Sequence, residues 1–337
     1  MSTSRPEALR EHWQALLASE PQLRIRDAAG RLGAAEAELV ALGCGTTATR
    51  LDGPWDALLK QLHTLGPLLG LTRNDHAVHE RHGRYERLAS QGRMRIVGSP
   101  GFEAWLFLDR WHSGYAVQEI GHGQVRQSLQ FFDERGGAVH KIYQTQETLP
   151  GTLETLVRQF RSADQSPDHL VAAQPEVPAT AEQPRFWPSH DVEGPPPPDP
   201  IAAHPAAIRP PAVARAVDRT AAEIVLREAS AQAIPLLIAV GNPGALQFHR
   251  GPVTAIRRTG PWINVLDASF NLHLRDEQVA SAWVIEEDAD TGPKRWLGLA
   301  DRQGQPVAQL SCLQPSARWD ALLQGLAAAV TTGGPAS

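Results

Sequence analysis

Three histidines recur at every third position of the segment HAVHERH, together with an acidic residue. They are His76, His79 and His82, with Glu80 among them. On a helix this spacing would give neighbouring positions, where imidazole and carboxylate groups can hold a divalent metal. The preceding Asn-Asp pair predicts a turn, and the residues after it predict a strand, on which successive side chains face opposite sides. We therefore expect surface or hairpin histidines here rather than a metal site.

Two short segments are rich in the small residues that catalytic loops use, but these residues do not have the spacing of a catalytic motif. The segments GTTAT, at 45–49, and GSPG, at 98–101, predict turns, and neither contains the G-x-S-x-G sequence that exposes a nucleophilic serine. The sequence also has no Walker loop and no G-x-G-x-x-G that opens a helix after a strand. It therefore predicts neither a nucleophile triad nor a nucleotide site.

Composition limits the class of protein. The chain has 337 residues, of which 42% are hydrophobic and 20% charged, and a net charge of −5 argues against a broad nucleic-acid footprint. Cys44 and Cys312 are too few for a disulfide framework and suit a reducing cytosol. The opening MSTSRPEALREHW lacks a signal-peptide core, and no apolar run reaches the roughly 20 residues that span a bilayer. We expect a cytoplasmic protein with no nucleic-acid partner and no stable membrane insertion.

The elements that position these residues occur twice, because the sequence repeats itself at a constant offset of 168 residues. The register needs no gap between residues 67 and 143, through strands and turns alike, which chance periodicity would not maintain. Matching positions include the pairs Pro67 and Pro235, Asn74 and Asn242, Gly83 and Gly251, Phe102 and Phe270, and Asp133 and Asp301.

Each copy predicts the same order of elements. A helix comes first, at 55–62 and 221–231, and another closes the copy, at 152–160 and 319–328. Between them lie short strands of alternating polarity and a hairpin with a Gly-containing turn. We predict an α+β fold, a tandem repeat of two antiparallel β-sheet units with flanking helices, related by a pseudo-twofold axis.

A change in composition separates the copies. Residues 163–215 hold 13 of the 27 prolines, including the unbroken run Pro195 to Pro198. Proline lacks an amide donor and breaks helices, so an extended linker is predicted here. We divide the chain into a first repeat with an N-terminal helical hairpin at 1–162, a Pro/Ala-rich linker at 163–215 and a second repeat at 216–330.

The N-terminal hairpin, within residues 22–43, has the outline of a DNA-binding helix-turn-helix. Asp27 is a candidate cap for its first helix, and Gly33 is placed in the turn. The second helix, which would read the bases, contains Glu36 and Glu38 and no Lys or Arg. Because carboxylates are repelled by phosphate, we expect a packed helical hairpin rather than a DNA reader.

Several long motifs resemble those of one family. LTRNDHAVHERHGRYE, at 71–86, is similar to the LTRN…VHE…G.Y motif of HemS/ChuS-type haem-utilisation proteins. Further matches are LFLDRWHSGYAV, SLQFFDERGGAVHKIY, VGNPG, WINV and FNLHL, in the same order along both halves. The resemblance covers roughly residues 22–160 and 215–315, and the family is itself a structural tandem repeat.

The resemblance implies a function in bacterial haem and iron acquisition. Such proteins bind haem b in the cytoplasm and pass it to a haem oxygenase or, in some members, degrade it. The partners implied are haem and a haem oxygenase or haem importer. Whether this chain is itself an enzyme stays open. The alternative is a non-catalytic interaction protein that kept the fold but lost the haem site.

The resemblance also implies site residues. The family's axial histidine, carried on the joining segment, falls at His190, with His204 as the alternative. Phe107 matches an aromatic position beside the porphyrin, while Trp105 stands where the family has a sheet arginine. In the second copy, Ser311 stands at a family tyrosine or phenylalanine. Gln314, three residues later, replaces an arginine, so Arg209, Arg215 and Arg250 are the cations left for the propionates.

Overall fold

The computed structural model describes residues 4–91, 94–121, 124–169, 171–172, 186–187, 213–287 and 293–329. Within these ranges the α-helices are α1 Arg5–Ser19, α2 Ile25–Leu32, α3 Glu36–Ala41, α4 Trp55–Leu59, α5 Thr152–Phe160, α6 Ala221–Ala231 and α7 Ala317–Gln324. Short 3-10 helices are at Leu62–Leu65, Leu108–Arg110 and Asp276–Gln278. Both copies therefore open and close with a helix, as the repeat predicts.

Eighteen strands lie in the same described ranges. The first copy contributes β1 Ala48–Leu51, β2 Leu68–Arg73, β3 Ala77–Gly83, β4 Arg87–Gln91, β5 Met94–Ser99, β6 Phe102–Phe107, β7 Ser113–Gly121, β8 Gln124–Phe132 and β9 Ala138–Gln144. The second contributes β10 Val213–Val217, β11 Leu236–Asn242, β12 Ala245–Gly251, β13 Ile256–Thr259, β14 Trp262–Asp267, β15 Phe270–Arg275, β16 Ser281–Glu287, β17 Lys294–Ala300 and β18 Pro306–Cys312.

The strands form two nine-stranded antiparallel sheets that exchange strands between the copies. The first sheet has the order β1-β7-β8-β9-β2-β3-β15-β14-β13, and the second has β10-β16-β17-β18-β11-β12-β6-β5-β4. Each sheet thus takes six strands from one copy and three from the other. The copies meet where β3 pairs with β15 and where β12 pairs with β6.

The predicted fold class is confirmed, since the chain is a duplicated α+β unit with two antiparallel sheets. Strands β3, β5, β6 and β9 begin and end 168 residues before β12, β14, β15 and β18, and β2 begins 168 residues before β11. The hairpin turns also match, because Gly136 and Gly304 both adopt positive φ, 73° and 68°. The division at residues 163 and 215 stays a prediction, because most of that segment lies outside the described residues.

Helices cover one face of each sheet. In α5 the apolar residues Leu153, Leu156 and Phe160 lie on one side of the helix and pack with α4 against the first sheet. In the same way, α6 and α7 cover one face of the second sheet, where Val225 and Leu323 are fully buried. This leaves the opposite face of each sheet for other parts of the chain.

The N-terminal helices cover that opposite face of the first sheet. All six residues of α3 are buried, and Glu36 accepts a hydrogen bond from Lys141 at 2.6 Å. The packed hairpin is therefore confirmed, with Gly33 in the left-handed conformation at its turn. The capping prediction is wrong, because Arg24 occupies the N-cap of α2 and Asp27 lies in its first turn. Among the described residues, no helix is long and apolar enough to cross a membrane.

Candidate functional site

The second sheet presents a face rich in aromatic side chains on the side away from α6 and α7. We call it the aromatic face. Its residues on the sheet are Met94, Trp105, Phe107, Leu237, Ala239, Leu246, Phe248, Trp283, Ile285 and Trp296. Alternation along each strand separates them from the residues that pack under the helices. The aromatic face therefore belongs to the sheet's own pleat and needs no irregular loop to form.

The strand register brings these side chains together from both copies. Trp105 lies directly opposite Leu246 on β12, and Trp296 lies opposite Ser311 on β18. Ser311 is in turn opposite Leu237 on β11. Directly opposed residues of neighbouring strands project to the same side of a sheet. The face thus continues from β6 of the first copy across to β16 of the second.

Two aromatic residues of the linker dock on this face. The backbone N–H of Trp187 donates to Gln309 Oε1 at 2.7 Å, and Gln309 Nε2 donates to the Trp187 carbonyl at 3.1 Å. The Phe186 ring meets Trp296 edge-on, with centroids 5.3 Å apart. Gly298 lies beneath Phe186 and leaves no space for a β-carbon. The Gln309 side chain therefore pairs with the Trp187 backbone as a neighbouring strand would. The absence of a side chain at Gly298 leaves the space that the Phe186 ring occupies.

A carboxylate and a guanidinium sit at the edge of the aromatic face. Glu103 accepts a hydrogen bond from Trp105 Nε1 at 2.9 Å and lies 3.4 Å from Arg250. Of the other two arginines considered for the propionates, Arg215 donates to the carbonyls at the end of α7, on the opposite side of the sheet. Arg209 lies outside the described residues. Arg250 is thus the arginine, of these three, that the structure brings to the face.

Part of the corresponding face of the first sheet is polar. At an offset of 168, Trp105 corresponds to His273, Phe248 to Glu80 and Gln309 to Lys141. His273 Nδ1 is 2.7 Å from Asn264 Oδ1, and burial lowers the pKa of this histidine. The two copies therefore differ in polarity at these equivalent positions, and in this part of the described chain the face of the second sheet is better suited to a flat apolar ligand.

A cavity of about 1010 Å³ adjoins the aromatic face at the junction of the copies. Trp187 lines it together with Asn74, Asn242, Arg73 and the hairpin turn at Asp301. Burial lowers the pKa of the Arg73 guanidinium to about 10, and the nearby positive charge of α2 adds to this effect. Acidic and basic side chains are mixed around the cavity, so it has no single sign of charge.

The HAVHERH histidines are dispersed by the strand. His79 is fully buried, and Gln247 Nε2 donates to its Nδ1 at 2.9 Å. The expectation of surface or hairpin histidines is confirmed, since His79 and His82 lie on β3 of the β2–β3 hairpin and His82 is exposed. Within the described ranges, no three His, Cys, Asp or Glu residues are placed to hold a metal ion.

The structure brings together three of the residues predicted for the site. Trp105 and Phe107 are buried in the aromatic face, and Ser311 lies on the same face opposite Trp296. Gln314 is exposed and lines a separate cavity of about 430 Å³ beside the end of α6. His190 and His204 lie outside the described residues.

The sequence did not identify five further aromatic members of the face. Trp283 and Trp296 read as core residues because tryptophan in a strand usually is, and Phe248 carried no motif. Phe186 and Trp187 lie in the Pro-rich linker, where a packed aromatic pair is not expected. The adjacent aromatic pair next to a linker histidine was the signal that could have found them.

Together the fold and the face define a duplicated α+β protein with one aromatic sheet face, on which linker residues dock. The chain belongs to the family of the haemin-degrading HemS/ChuX domain, which matches residues 33–160 and 202–326. The resemblance identified in the sequence is thereby confirmed.

The similarity to known proteins extends over nearly the whole chain. The hemin transport protein HemS of Yersinia enterocolitica is 30% identical over 321 residues, covering 90% of this chain and 91% of the relative. Holo-PhuS, a heme-binding protein from Pseudomonas aeruginosa, superposes with a TM-score of 0.82 at 30% identity and covers 96% of this chain and all of its own. The heme degrading enzyme ChuS of Escherichia coli O157:H7 superposes with a TM-score of 0.82 at 26% identity, and the match covers 95% of this chain and 99% of the ChuS chain.

Proposed function

We propose that this protein binds haem in bacterial haem and iron acquisition, as a carrier or as a participant in haem breakdown. The aromatic face is the observation that supports the proposal. A porphyrin is a flat apolar ring, and a surface of tryptophan and phenylalanine side chains on a rigid sheet matches its shape and polarity. The names of its relatives, a hemin transport protein, a heme-binding protein and a heme degrading enzyme, point the same way.

The porphyrin would lie against Trp105 and Phe107, with Ser311 at the edge of the same face. Arg250 can supply charge to a propionate, although Glu103 already lies 3.4 Å from it. Gln314, exposed beside another cavity, has the weakest support as a contact. Because the propionates need partners to offset lost hydration, cations are fewer here than the family pattern would provide.

His190 is the proposed iron ligand, and His204 is the alternative. His190 follows Trp187 by three residues, and three extended residues span at most about 10 Å. Because Trp187 is anchored on the aromatic face, this reach is enough to bring an imidazole over a ring bound there. Imidazole is a common axial ligand of haem iron, and haem b, which has no covalent link to the protein, is the form proposed.

The proposed setting is the bacterial cytoplasm, with a haem importer or a haem oxygenase as partner. Both cysteines are free thiols, as expected for a reducing compartment. If the protein degrades haem, the iron chemistry comes from the ligand. The chain would then supply binding, orientation and exclusion of water.

The test is a hemin titration followed by the visible spectrum. Wild type should give a saturable Soret shift, and His190→Ala should weaken or shift it, while His204→Ala should not. Ascorbate added to the complex then separates carriage, in which the Soret band persists, from breakdown, in which it decays. No saturable shift in wild type would favour the alternative, an interaction protein that kept the fold and lost the haem site.

A further inference from the structure

Three indole N–H groups at the aromatic face have no hydrogen-bond acceptor within the part of the chain that the structure describes. They belong to Trp187, Trp283 and Trp296, and in each the nitrogen is buried. Trp187 and Trp296 are almost fully buried, with 2% and 3% of their surface exposed. A buried donor without an acceptor is costly, so such groups are rare and call for an explanation.

Elsewhere, the buried tryptophans of the described chain do find acceptors. The indole of Trp55 donates to the Trp111 carbonyl at 3.0 Å, and that of Trp111 donates to the Gly244 carbonyl at 3.0 Å. Trp319 donates to the Arg295 carbonyl at 2.8 Å. Among the described tryptophans outside the aromatic face, only Trp13 of α1 has a buried indole N–H without a hydrogen-bond acceptor. The unsatisfied donors are thus concentrated at one place.

The three donors are also held in place. Gln309 fixes the backbone of Trp187 through two hydrogen bonds, and the indole of Trp187 lines the cavity at the junction of the copies. Trp296 is flanked by Ser311 across the strand pair and by the Phe186 ring. Trp283 lies on the adjacent strand, opposite Gly298. Because Trp187 and Trp296 are almost fully buried, their indoles have little room to turn towards water, and an acceptor must come to them.

We infer that Trp187, Trp283 and Trp296 donate hydrogen bonds to the carboxylates of the bound planar ligand, an inference that rests on the proposed haem-binding function. The site would recognise an anionic group largely through neutral donors. Such donors would account for the binding of a dicarboxylate at a face where Trp105 stands in place of the arginine that the family resemblance implies. A carboxylate oxygen accepts several hydrogen bonds, and those to a charged acceptor are about twice as strong as neutral ones.

The experiment compares a metal-free dicarboxylate porphyrin, protoporphyrin IX, with its dimethyl ester, each titrated in the same mixed solvent and followed by porphyrin fluorescence. Neither probe contains iron, so the result is independent of the axial histidine. Wild type should bind the free acid about tenfold more tightly than the ester, because a hydrogen bond to a charged group contributes about that factor. Trp187→Phe and Trp296→Phe keep a ring but lose the N–H, and each should reduce this preference several-fold.

The matched control is Trp105→Phe, a tryptophan of the same face whose N–H already donates to Glu103. It should change the affinity of both probes to a similar degree and leave their ratio unaltered. Trp187 lies in the linker, outside the sheets, so its variant remains informative even if Trp296→Phe folds poorly. A preference for the free acid that survives in both variants overturns the inference and leaves the proposed function standing. If wild type binds neither porphyrin, or binds both equally, the inference fails, while the proposed function is judged separately by the hemin titration, in which the iron is present.

Discussion

Asn74 and Asn242 hold the two copies together through reciprocal hydrogen bonds. Asn74 Nδ2 donates to the carbonyls of Gly241 and Val307 at 3.1 and 2.9 Å. Asn242 Nδ2 donates to the carbonyls of Arg73 and Val139, both at 2.8 Å. Every partner of one asparagine lies 168 residues from the matching partner of the other. At this junction the pseudo-twofold relation between the copies therefore extends to individual hydrogen bonds.

We expect Asn74→Ala and Asn242→Ala to destabilise the protein by similar amounts. Each side-chain oxygen also accepts from two backbone amides, at residues 76 and 77 in one copy and at 244 and 245 in the other. Four lost hydrogen bonds at about 0.5–1.5 kcal/mol each suggest a decrease of roughly 2–6 kcal/mol in the free energy of unfolding. Urea denaturation measures the effect.

The control for the asparagine variants is Asn271→Ala, which removes one 3.4 Å contact with Glu80 and should cost less than about 0.5 kcal/mol. The double variant of Asn74 and Asn242 should be less destabilised than the sum of the two, because both act on one junction. Strictly additive values would show that the two asparagines stabilise separate parts of the fold.

The duplicated pattern explains how much of the fold was predictable from the sequence. β6 and β15 were predicted because the same alternation of apolar and polar residues occurs in both copies. The exchange of strands was not predictable. The alternation of β6 shows that it has two faces, but whether it pairs with β12 or with a strand of its own copy depends on contacts distant in sequence.

The site was predictable only where it coincided with family motifs. Phe107 and Trp105 were found because they lie in a recognisable strand, and the structure places both on the aromatic face. Trp187 was not predicted there, because its position depends on two hydrogen bonds to Gln309, 122 residues away, and only its pairing with Phe186 near a linker histidine gave a signal. Sequence periodicity reports the faces of an element, whereas such docking contacts are fixed by tertiary structure.

Removing Lys141 should destabilise the protein strongly. Lys141 and Glu36 form a buried ion pair at 2.6 Å, in which the lysine lowers the pKa of the carboxyl group despite its burial. Lys141→Met leaves the carboxylate buried without a counter-charge, which typically costs about 3–5 kcal/mol. The double variant Lys141→Met/Glu36→Leu should recover most of that loss, because no charge is then buried. Urea denaturation of both variants tests this.

The comparison for that pair is Arg31→Ala, which breaks an exposed ion pair with Glu20 in the same helical region. Exposed pairs contribute little, so a change below about 1 kcal/mol is expected. If Lys141→Met and Arg31→Ala lower the free energy of unfolding by the same amount, the buried Glu36 carboxylate does not destabilise the protein when its counter-charge is removed.

Stability should fall as the pH drops below about 6.5. Burial lowers the pKa of His140 to about 3 and that of His249 to about 4, and it also holds the pKa of His79 well below its usual value. The unfolded chain therefore binds protons at these residues before the folded chain does. The contribution of these neutral histidines to the free energy of unfolding is fully present above the pKa of histidine in the unfolded chain. It is lost between about pH 6.5 and 4, by up to about 1.4 kcal/mol per pH unit for each histidine.

Urea denaturation between pH 7 and pH 5 gives the slope, and His249→Phe should reduce it by the share of one histidine. A phenyl ring can keep the stacking on Phe270, whose ring centroid lies 3.8 Å from that of His249. His63→Ala, at an exposed site, should leave the slope unchanged. A slope that is the same in His249→Phe and wild type would mean that His249 does not contribute to acid sensitivity.

Gly298→Ala should release the linker from the aromatic face. A β-carbon at Gly298 would overlap the Phe186 ring, and Ile285 leaves no room on the other side. With Phe186 displaced, the hydrogen bonds between Trp187 and Gln309 lose their support, so faster amide exchange at residues 186 and 187 is expected. Gly30→Ala is the control, because its β-carbon would meet nothing within 4 Å and should stabilise α2 by roughly 0.5–1 kcal/mol. Unchanged exchange at Trp187 in Gly298→Ala would show that Gln309 alone holds the segment.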